Sequence, residues 1–219
     1  MARMARLVVP NYPHHCTQRG NRRMPVFFSD DDYALYKTYL ANALEKARVE
    51  VWAYCFMPNH VHLVVVPSTA DGLRNFFGEA HRRYTRAINF REGWRGYLWQ
   101  GRFRSFVMQE QYLMAAVRYV ENNPVDAGIC KYAEDWQWSS ARAHLAQEDD
   151  KLVRVKPMLE RVNSWQGYLR QEPDTRLSKT IEKHTSTGRP LGDSGFVDSL
   201  ADRFGEFVRP KKRGRNSAP

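Results

Sequence analysis

Short extended segments recur along the first 110 residues of the chain. Each is rich in strand-forming residues and is bounded on at least one side by proline, glycine or asparagine. The second and third flank the turn Met57-Pro58-Asn59, which predicts a hairpin. The predicted strands are residues 14–18, 49–56, 60–66 and 98–108.

Amphipathic segments alternate with these strands. Ser29, followed by aspartates at 30–32, indicates a helix start, because a hydroxyl can cap a helix and carboxylates favour its positive end. Pro124 and Gly128 indicate the end of the third helix. Apolar spacing predicts helices over residues 30–47, 71–90 and 109–123.

The predicted order is strand, helix, strand, strand, helix, strand, helix. This is the split strand–helix–strand pattern of a ferredoxin-like fold with one additional helix. We therefore expect an α+β fold in which an antiparallel sheet carries helices on one face. The composition changes after Leu145, so we expect one domain over residues 1–145 and an extension over residues 146–219.

The predicted C-terminal extension is basic, helical and partly flexible. Residues 171–195 contain few apolar side chains. A short amphipathic helix is predicted from the spacing of Phe196, Leu200, Phe204 and Phe207. The tail from Arg209 to Arg215 has five basic residues in seven, and we expect it to contact duplex phosphates.

Charge and cysteine content narrow the class of protein. The chain has 34 Lys and Arg against 24 Asp and Glu residues, a net charge of +10 that favours a polyanionic partner. Ribosomal and membrane-surface proteins share this property. The three cysteines form no CxxC pair, which argues against a zinc knuckle or a disulfide framework. Since no apolar run has signal-peptide or membrane-span length, we expect a cytoplasmic protein without a membrane partner.

Two histidines stand at the start of the third predicted strand. His60 and His62 point to the same face of the sheet, because side chains alternate along a strand. Two imidazoles on one face can share a divalent ion. The alternative is a pair of ordinary histidines in a hairpin, and this spacing alone is a weak signal.

The third predicted helix carries a second pair of candidate residues. Tyr119 and Asn123 are one turn apart on one helical face. A phenol can attack a phosphodiester when a metal polarises it, and an amide oxygen beside two imidazoles suits Mg²⁺ or Mn²⁺. Alternatively, Tyr119 packs in the core as Tyr112 would, and spacing does not decide between the two interpretations.

Arginines and aromatic residues are interleaved between residues 74 and 104. This segment has eight arginines and only two glutamates. Arginine can bind phosphates through its forked guanidinium, and exposed aromatic rings can stack on unpaired bases. Most of the aromatic residues are expected in the core. The candidate DNA-binding residues are Arg82, Arg83, Arg86, Arg102 and Arg104, together with a second cluster of Arg19, Arg22 and Arg23 beside the first strand.

Two longer strings resemble a known family. They are Met57-Pro-Asn-His-Val-His-Leu-Val-Val65 and Arg118-Tyr-Val-Glu-Asn-Asn-Pro-Val-Asp-Ala-Gly128, and both resemble the HUH single-tyrosine transposases. Residues 17–21, 25–28 and 138–144 resemble one branch, the REP-associated tyrosine transposases. The resemblance covers about residues 8 to 145, with its motifs in the expected order.

The resemblance implies a role for each candidate residue. His60 and His62 would bind Mg²⁺ or Mn²⁺, Tyr119 would be the nucleophile, and Asn123 would complete the metal site, with Asn122 as a competitor. Family members often carry arginine where this chain has Asp126, a position expected to be peripheral to the metal. The implied fold is the HUH nuclease fold.

The implied reaction is cleavage and rejoining of single-stranded DNA at REP-type hairpins. A phosphotyrosine link to the 5′ end conserves the bond energy, and the free 3′-hydroxyl can later attack it. The region of Arg19 to Arg23 would read a short sequence at the hairpin foot. Insertion-sequence relatives are dimers and the REP-associated branch is monomeric, so we expect a monomer, with a dimer as the alternative.

Two other functions remain open at this stage. The first is a non-catalytic regulator that binds hairpin DNA through the basic surface. The second is a metal-dependent phosphodiesterase that uses water and forms no covalent intermediate. Formation of a protein–DNA adduct separates both from the transposase interpretation.

Overall fold

The structure is a computed structural model that describes residues 6–209. Its strands are β1 (His14–Arg19), β2 (Val49–Met57), β3 (His60–Pro67) and β4 (Arg104–Val107). The helices up to residue 126 are α1 (Asp30–Ala41), α2 (Leu44–Ala47), α3 (Gly72–Glu92) and α4 (Glu110–Asp126). Those that follow are α5 (Ala141–Ala146), α6 (Lys156–Leu159), α7 (Trp165–Leu169), α8 (Thr175–Thr187) and α9 (Ser194–Phe204). Short 3₁₀ turns are Asn21–Arg23, Ala133–Asp135 and Glu206–Val208.

The four strands form one sheet in the order β2-β3-β1-β4, and every neighbouring pair is antiparallel. With helices after β1 and β3, this is the ferredoxin-like arrangement predicted from the element order. The α+β class and the antiparallel sheet are therefore confirmed.

Helices cover both faces of the sheet, which differs from the expectation of one covered face. Val61, Leu63 and Val65 of β3 pack in the cluster that contains α1 and α3, whereas Val64 packs in the cluster that contains α4. The physical reason is that β3 carries apolar residues on both of its faces, so each face must be covered. The face that carries α4 also carries His60 and His62, because residues 60, 62 and 64 alternate with the other set.

Two predicted elements have different bounds in the structure. β4 comprises only Arg104–Val107, because the chain from Leu98 bonds instead to the end of β1. The amide of Asn21 donates to the Leu98 carbonyl at 2.8 Å, and the left-handed Gly101 turns the chain toward β4. Helix α4 continues past Asn123 through Pro124 to Asp126, since a proline near a helix end removes only one hydrogen bond.

The start of α1 also differs from the prediction. Ser29 occupies the capping position, but its hydroxyl makes no capping hydrogen bond. The carboxylate of Asp32 accepts the amide of Phe28 at 2.8 Å instead, and it also binds Arg91. At this helix start the buried Asp32 carboxylate, and not the Ser29 hydroxyl, therefore accepts the hydrogen bond from a backbone amide.

The C-terminal segment packs against the sheet and the N-terminal residues. The Leu191 amide donates to the Val107 carbonyl at 2.9 Å, so this segment covers the edge strand β4. Leu200 of α9 lies in a small apolar cluster with Leu7 and Val9. Within residues 6–209, no helix is both long and apolar enough to cross a membrane. Residues 210–215 of the predicted basic tail lie outside the described residues.

Candidate active site

The strand register brings side chains from three strands to one end of the sheet. Directly paired residues point to the same face, and the register pairs Arg19 with His60, Thr17 with His62, and Thr17 with Arg104. These five residues line a cavity of about 620 Å³ between the sheet, α4 and α8. The cavity also reaches Tyr119 and Asn123 on α4, so the four residues proposed for chemistry share one site.

Hydrogen bonds orient both imidazoles. His60 Nδ1 lies 2.6 Å from Asn59 Oδ1, and His62 Nδ1 lies 3.0 Å from Nε2 of the buried His15. His15 Nδ1 in turn lies 3.2 Å from the Thr185 hydroxyl. Because each Nδ1 is engaged, Nε2 of His60 and of His62 is the nitrogen available to a metal ion.

Burial keeps the histidines neutral. Burial, with the nearby Arg19 guanidinium, lowers the pKa of His60 to about 4. Burial, together with the neighbouring imidazoles of His60 and His15, lowers the pKa of His62 well below its usual value. Both imidazoles are therefore unprotonated at neutral pH, which is the form that coordinates metals.

Asn123 connects the helix to the strand. Its side chain lines the cavity beside His60 and Tyr119, where it raises the pKa of His60 and lowers the pKa of Tyr119. The Tyr119 ring meets the His62 ring edge-on, with centroids 5.7 Å apart. Burial and the charge of Glu182 raise the pKa of Tyr119 to about 12, so its phenol is protonated at neutral pH.

Asn122 and Asp126 flank the Asn123 position. The Asn122 amide donates to the Leu169 carbonyl at 2.9 Å and points toward α7. Asp126 lines the cavity, and burial raises the pKa of its carboxyl. Asn123 is thus the amide that meets the histidines, while Asp126 places an acid on the wall beside the arginines.

The predicted DNA-binding arginines divide into two groups. Arg19, Arg23, Arg102 and Arg104 line the cavity, and Arg22 lies exposed beside Arg23 in the same 3₁₀ turn. The second group is Arg82, Arg83 and Arg86, which are exposed on α3. This helix packs on the opposite face of the sheet, so these three arginines do not line the cavity. Arg82 pairs with Glu79 at 2.9 Å, and Arg83 lies over the Tyr39 ring.

Several residues of the site were missed in the sequence. Thr17 lines the cavity opposite His62, and the buried His15 hydrogen-bonds to His62 from the same strand; pairing the first predicted strand with the third would have placed both near His62. Glu182 and Thr185 come from α8, within the predicted C-terminal extension, and no local motif marks them. The cavity therefore draws on both predicted segments of the chain.

The donor set fits a hard or borderline divalent ion. Two neutral imidazoles and an amide oxygen converge, whereas the cysteines Cys16 and Cys55 are buried in the cores. Among residues 6–209, no group of three or more His, Cys, Asp or Glu side chains could hold a metal ion. This excludes a thiolate or multi-carboxylate site in the described part, and it is compatible with a mixed nitrogen and oxygen site for Mn²⁺ or Mg²⁺.

Comparison with solved structures identifies the fold. A REP-associated tyrosine transposase bound to a REP hairpin is similar with a TM-score of 0.59 and 21% identity, over 67% of this chain and 87% of that chain. A candidate transposase of Deinococcus radiodurans R1 is 23% identical over 55% of this chain and 97% of that chain, with a TM-score of 0.39. No curated protein matches the chain.

Comparison with protein families identifies the lineage. The model of the IS200-like transposases matches residues 8–123, a span that contains His60, His62, Tyr119 and Asn123. This match covers more than half of the chain and confirms the resemblance found in the sequence. The chain belongs to the IS200-like transposase family.

Proposed function

We propose that this transposase-family protein cuts and rejoins single-stranded DNA through a covalent bond to Tyr119, with the help of Mg²⁺ or Mn²⁺. The observation that carries the proposal is the meeting of Tyr119 and Asn123 with His60 and His62 in one cavity. That cavity also contains four arginines, which can bind the phosphates on either side of a scissile bond.

The chain's own residues define the reaction. His60, His62 and Asn123 would hold the divalent ion, which when bound polarises the phosphoryl oxygen. The Tyr119 oxygen attacks phosphorus and loses its proton, and the bond from phosphorus to the 3′ oxygen breaks. The leaving oxygen takes up a proton as a free 3′-hydroxyl, and the phosphotyrosine link retains the energy needed for rejoining.

The site is assembled within one chain. Helix α4 carries Tyr119 to the histidines of the same chain, so cleavage needs no residue from a second copy. The segment around Leu191 also covers the edge strand β4, which leaves that edge unavailable for pairing between copies. Both observations support a monomer.

Hairpin DNA is the proposed substrate. Phe90 and Tyr97 are 90% and 88% exposed, and apolar rings this exposed suggest a binding surface. The side-chain amide of Asn21 donates to the Tyr97 carbonyl, so Tyr97 lies beside the turn that carries Arg22 and Arg23. The solved relative is bound to a REP hairpin, and we extend that class of ligand to this chain.

Covalent trapping tests the proposal. Full-length protein, labelled hairpin DNA with a single-stranded flank, and Mn²⁺ should give a denaturation-resistant adduct. Tyr119→Phe should abolish the adduct, because the phenyl ring has no nucleophile. Tyr112→Phe, on the same helix and packed against the core, is the matched control and should retain it. An adduct with Tyr119→Phe would disprove the assignment of Tyr119 as the nucleophile. Binding of the hairpin without cleavage would favour the non-catalytic regulator. Cleavage without an adduct would favour the phosphodiesterase that uses water.

A further inference from the structure

A buried carboxylate lies on α4 between the two site residues of that helix. Glu121 is 0% exposed and accepts three hydrogen bonds from side chains distant in sequence. On Oε1 it accepts the Ser140 hydroxyl at 2.5 Å and His144 Nδ1 at 2.6 Å, and on Oε2 it accepts Trp165 Nε1 at 2.9 Å. This group takes no part in the proposed reaction, so its burial needs another explanation.

Ser140, one of the partners of Glu121, is itself bonded to the sheet. The Ser140 amide donates to the Tyr54 carbonyl, and the Tyr54 amide donates to the Ser140 hydroxyl, both at 2.9 Å. The Phe56 amide donates to the Trp138 carbonyl at 2.8 Å. The Trp138–His144 segment is therefore bonded along β2, and Glu121 joins α4 to it.

Helix geometry relates this attachment to the active site. Tyr119 and Asn123 are each two residues from Glu121, a rotation of about 200° around the helix. Glu121 thus lies on the face opposite the pair that enters the cavity. Fixing its three bonds fixes the rotation of α4 about its own axis, and with it the direction of Tyr119 and Asn123.

We propose that Glu121 is a positioning residue that orients α4, so that Tyr119 and Asn123 meet His60 and His62. The inference rests on the proposed function, because it needs Tyr119 and Asn123 to act in the cavity. A carboxylate suits the role because both of its oxygens accept, so three donors can be held at once. Such a network specifies one arrangement, whereas apolar packing would permit small rotations. The ring of His144 stacks on Trp165 at 4.1 Å, which holds two of the donors in place.

The test uses Glu121→Gln in the full chain. Its amide offers a single acceptor oxygen, so it cannot receive all three donors in the present geometry. Glu110→Gln is the matched control, because Glu110 is on the same helix but pairs with Arg161 at the surface. Single-turnover adduct formation, Mn²⁺ affinity by isothermal titration and hairpin affinity are measured on each protein.

A positioning role predicts a selective kinetic defect. The rate constant of adduct formation should fall roughly 10- to 100-fold, since displacements of about 1 Å can cost this much. Mn²⁺ affinity should also fall, because Asn123 moves with the helix, while hairpin affinity stays within about twofold of wild type. If Glu121 only stabilises the fold, the variant should form less adduct in total and melt at a lower temperature, while the rate constant of adduct formation is unchanged. That result overturns the proposal.

A second variant and a second measurement keep the positioning role testable. If Glu121→Gln does not fold, Trp165→Phe replaces it, since this change keeps the ring on His144 and removes one donor. If the wild-type protein forms no adduct, the proposed function fails, and Mn²⁺ affinity alone then decides the positioning role. Equal affinity in wild type and variant rejects it, and weaker affinity in the variant supports it.

Discussion

The hydrogen bond between His15 and His62 would make metal affinity depend on a residue outside the proposed donor set. If His62 Nε2 binds the metal, Nδ1 carries the proton and donates to His15 Nε2, 3.0 Å away. His15 Nδ1 then donates to the Thr185 hydroxyl at 3.2 Å. Replacing His15 by phenylalanine removes both bonds and leaves a ring of similar size in place.

The expected loss of metal affinity in His15→Phe follows from the contacts that the phenyl ring retains. The His15 ring stacks on His62 at 5.2 Å and meets the edge of Phe106 at 5.2 Å, and a phenyl ring can make both contacts. The substitution therefore removes only the hydrogen bond that orients His62. Losing such a hydrogen-bond partner of a metal ligand typically costs about 10- to 100-fold in metal affinity. At about 1.36 kcal/mol per decade this is roughly 1.4 to 2.7 kcal/mol. The unpaired His62 donor should also lower folding stability by about 1–3 kcal/mol.

Isothermal titration of Mn²⁺ into wild type, His15→Phe and His14→Phe at neutral pH measures the effect. His14 is the matched control: it is equally buried on the same strand, but its ring bonds to the backbone of Val9 and Tyr12. His14→Phe should lower stability and leave Mn²⁺ affinity unchanged. Unchanged affinity in a folded His15→Phe would refute the reasoning that His15 orients a metal ligand.

Two further predictions concern the DNA surface and the response to acid. Phe90→Ala and Tyr97→Ala should each weaken hairpin binding, measured by fluorescence anisotropy, by about 1–3 kcal/mol for each stacked base, with unchanged melting temperature. Phe207→Ala, at another exposed ring, is the control, and a loss equal to theirs would contradict a specific surface. Burial raises the pKa of Asp32, but the Arg91 guanidinium and the Phe28 amide outweigh it and lower that pKa below its usual range. This stabilisation is present above the ordinary aspartate pKa of about 3.9 and is lost as pH falls through the lower pKa of the folded state. Asp32→Asn should therefore cost about 2 kcal/mol at neutral pH and flatten the decline of stability with acid, as measured by urea unfolding at several pH values. An unchanged acid profile would show that the ion pair contributes nothing.

Local periodicity determined which residues can share a face. Alternation along a strand placed His60 and His62 together, and the spacing of one helical turn placed Tyr119 with Asn123. These relations are set within a few residues of backbone, so they can be predicted without knowing where the element packs. The element order, and with it the ferredoxin-like sheet, followed from the same periodicities.

Local periodicity left open whether the two pairs meet; the family resemblance implied it, and the tertiary structure brings the four residues into one cavity. Strand register placed His15 beside His62, and the docking of α8 added Glu182 and Thr185 to the cavity. The three donors to Glu121 come from residues 19 to 44 positions away in the chain. Such contacts depend on which surfaces remain uncovered after the sheet has formed, and no local pattern encodes them. For the same reason the sequence suggested one covered face and a long fourth strand, whereas in the structure α4 packs on the second face and the bond from Asn21 to Leu98 diverts the chain before β4.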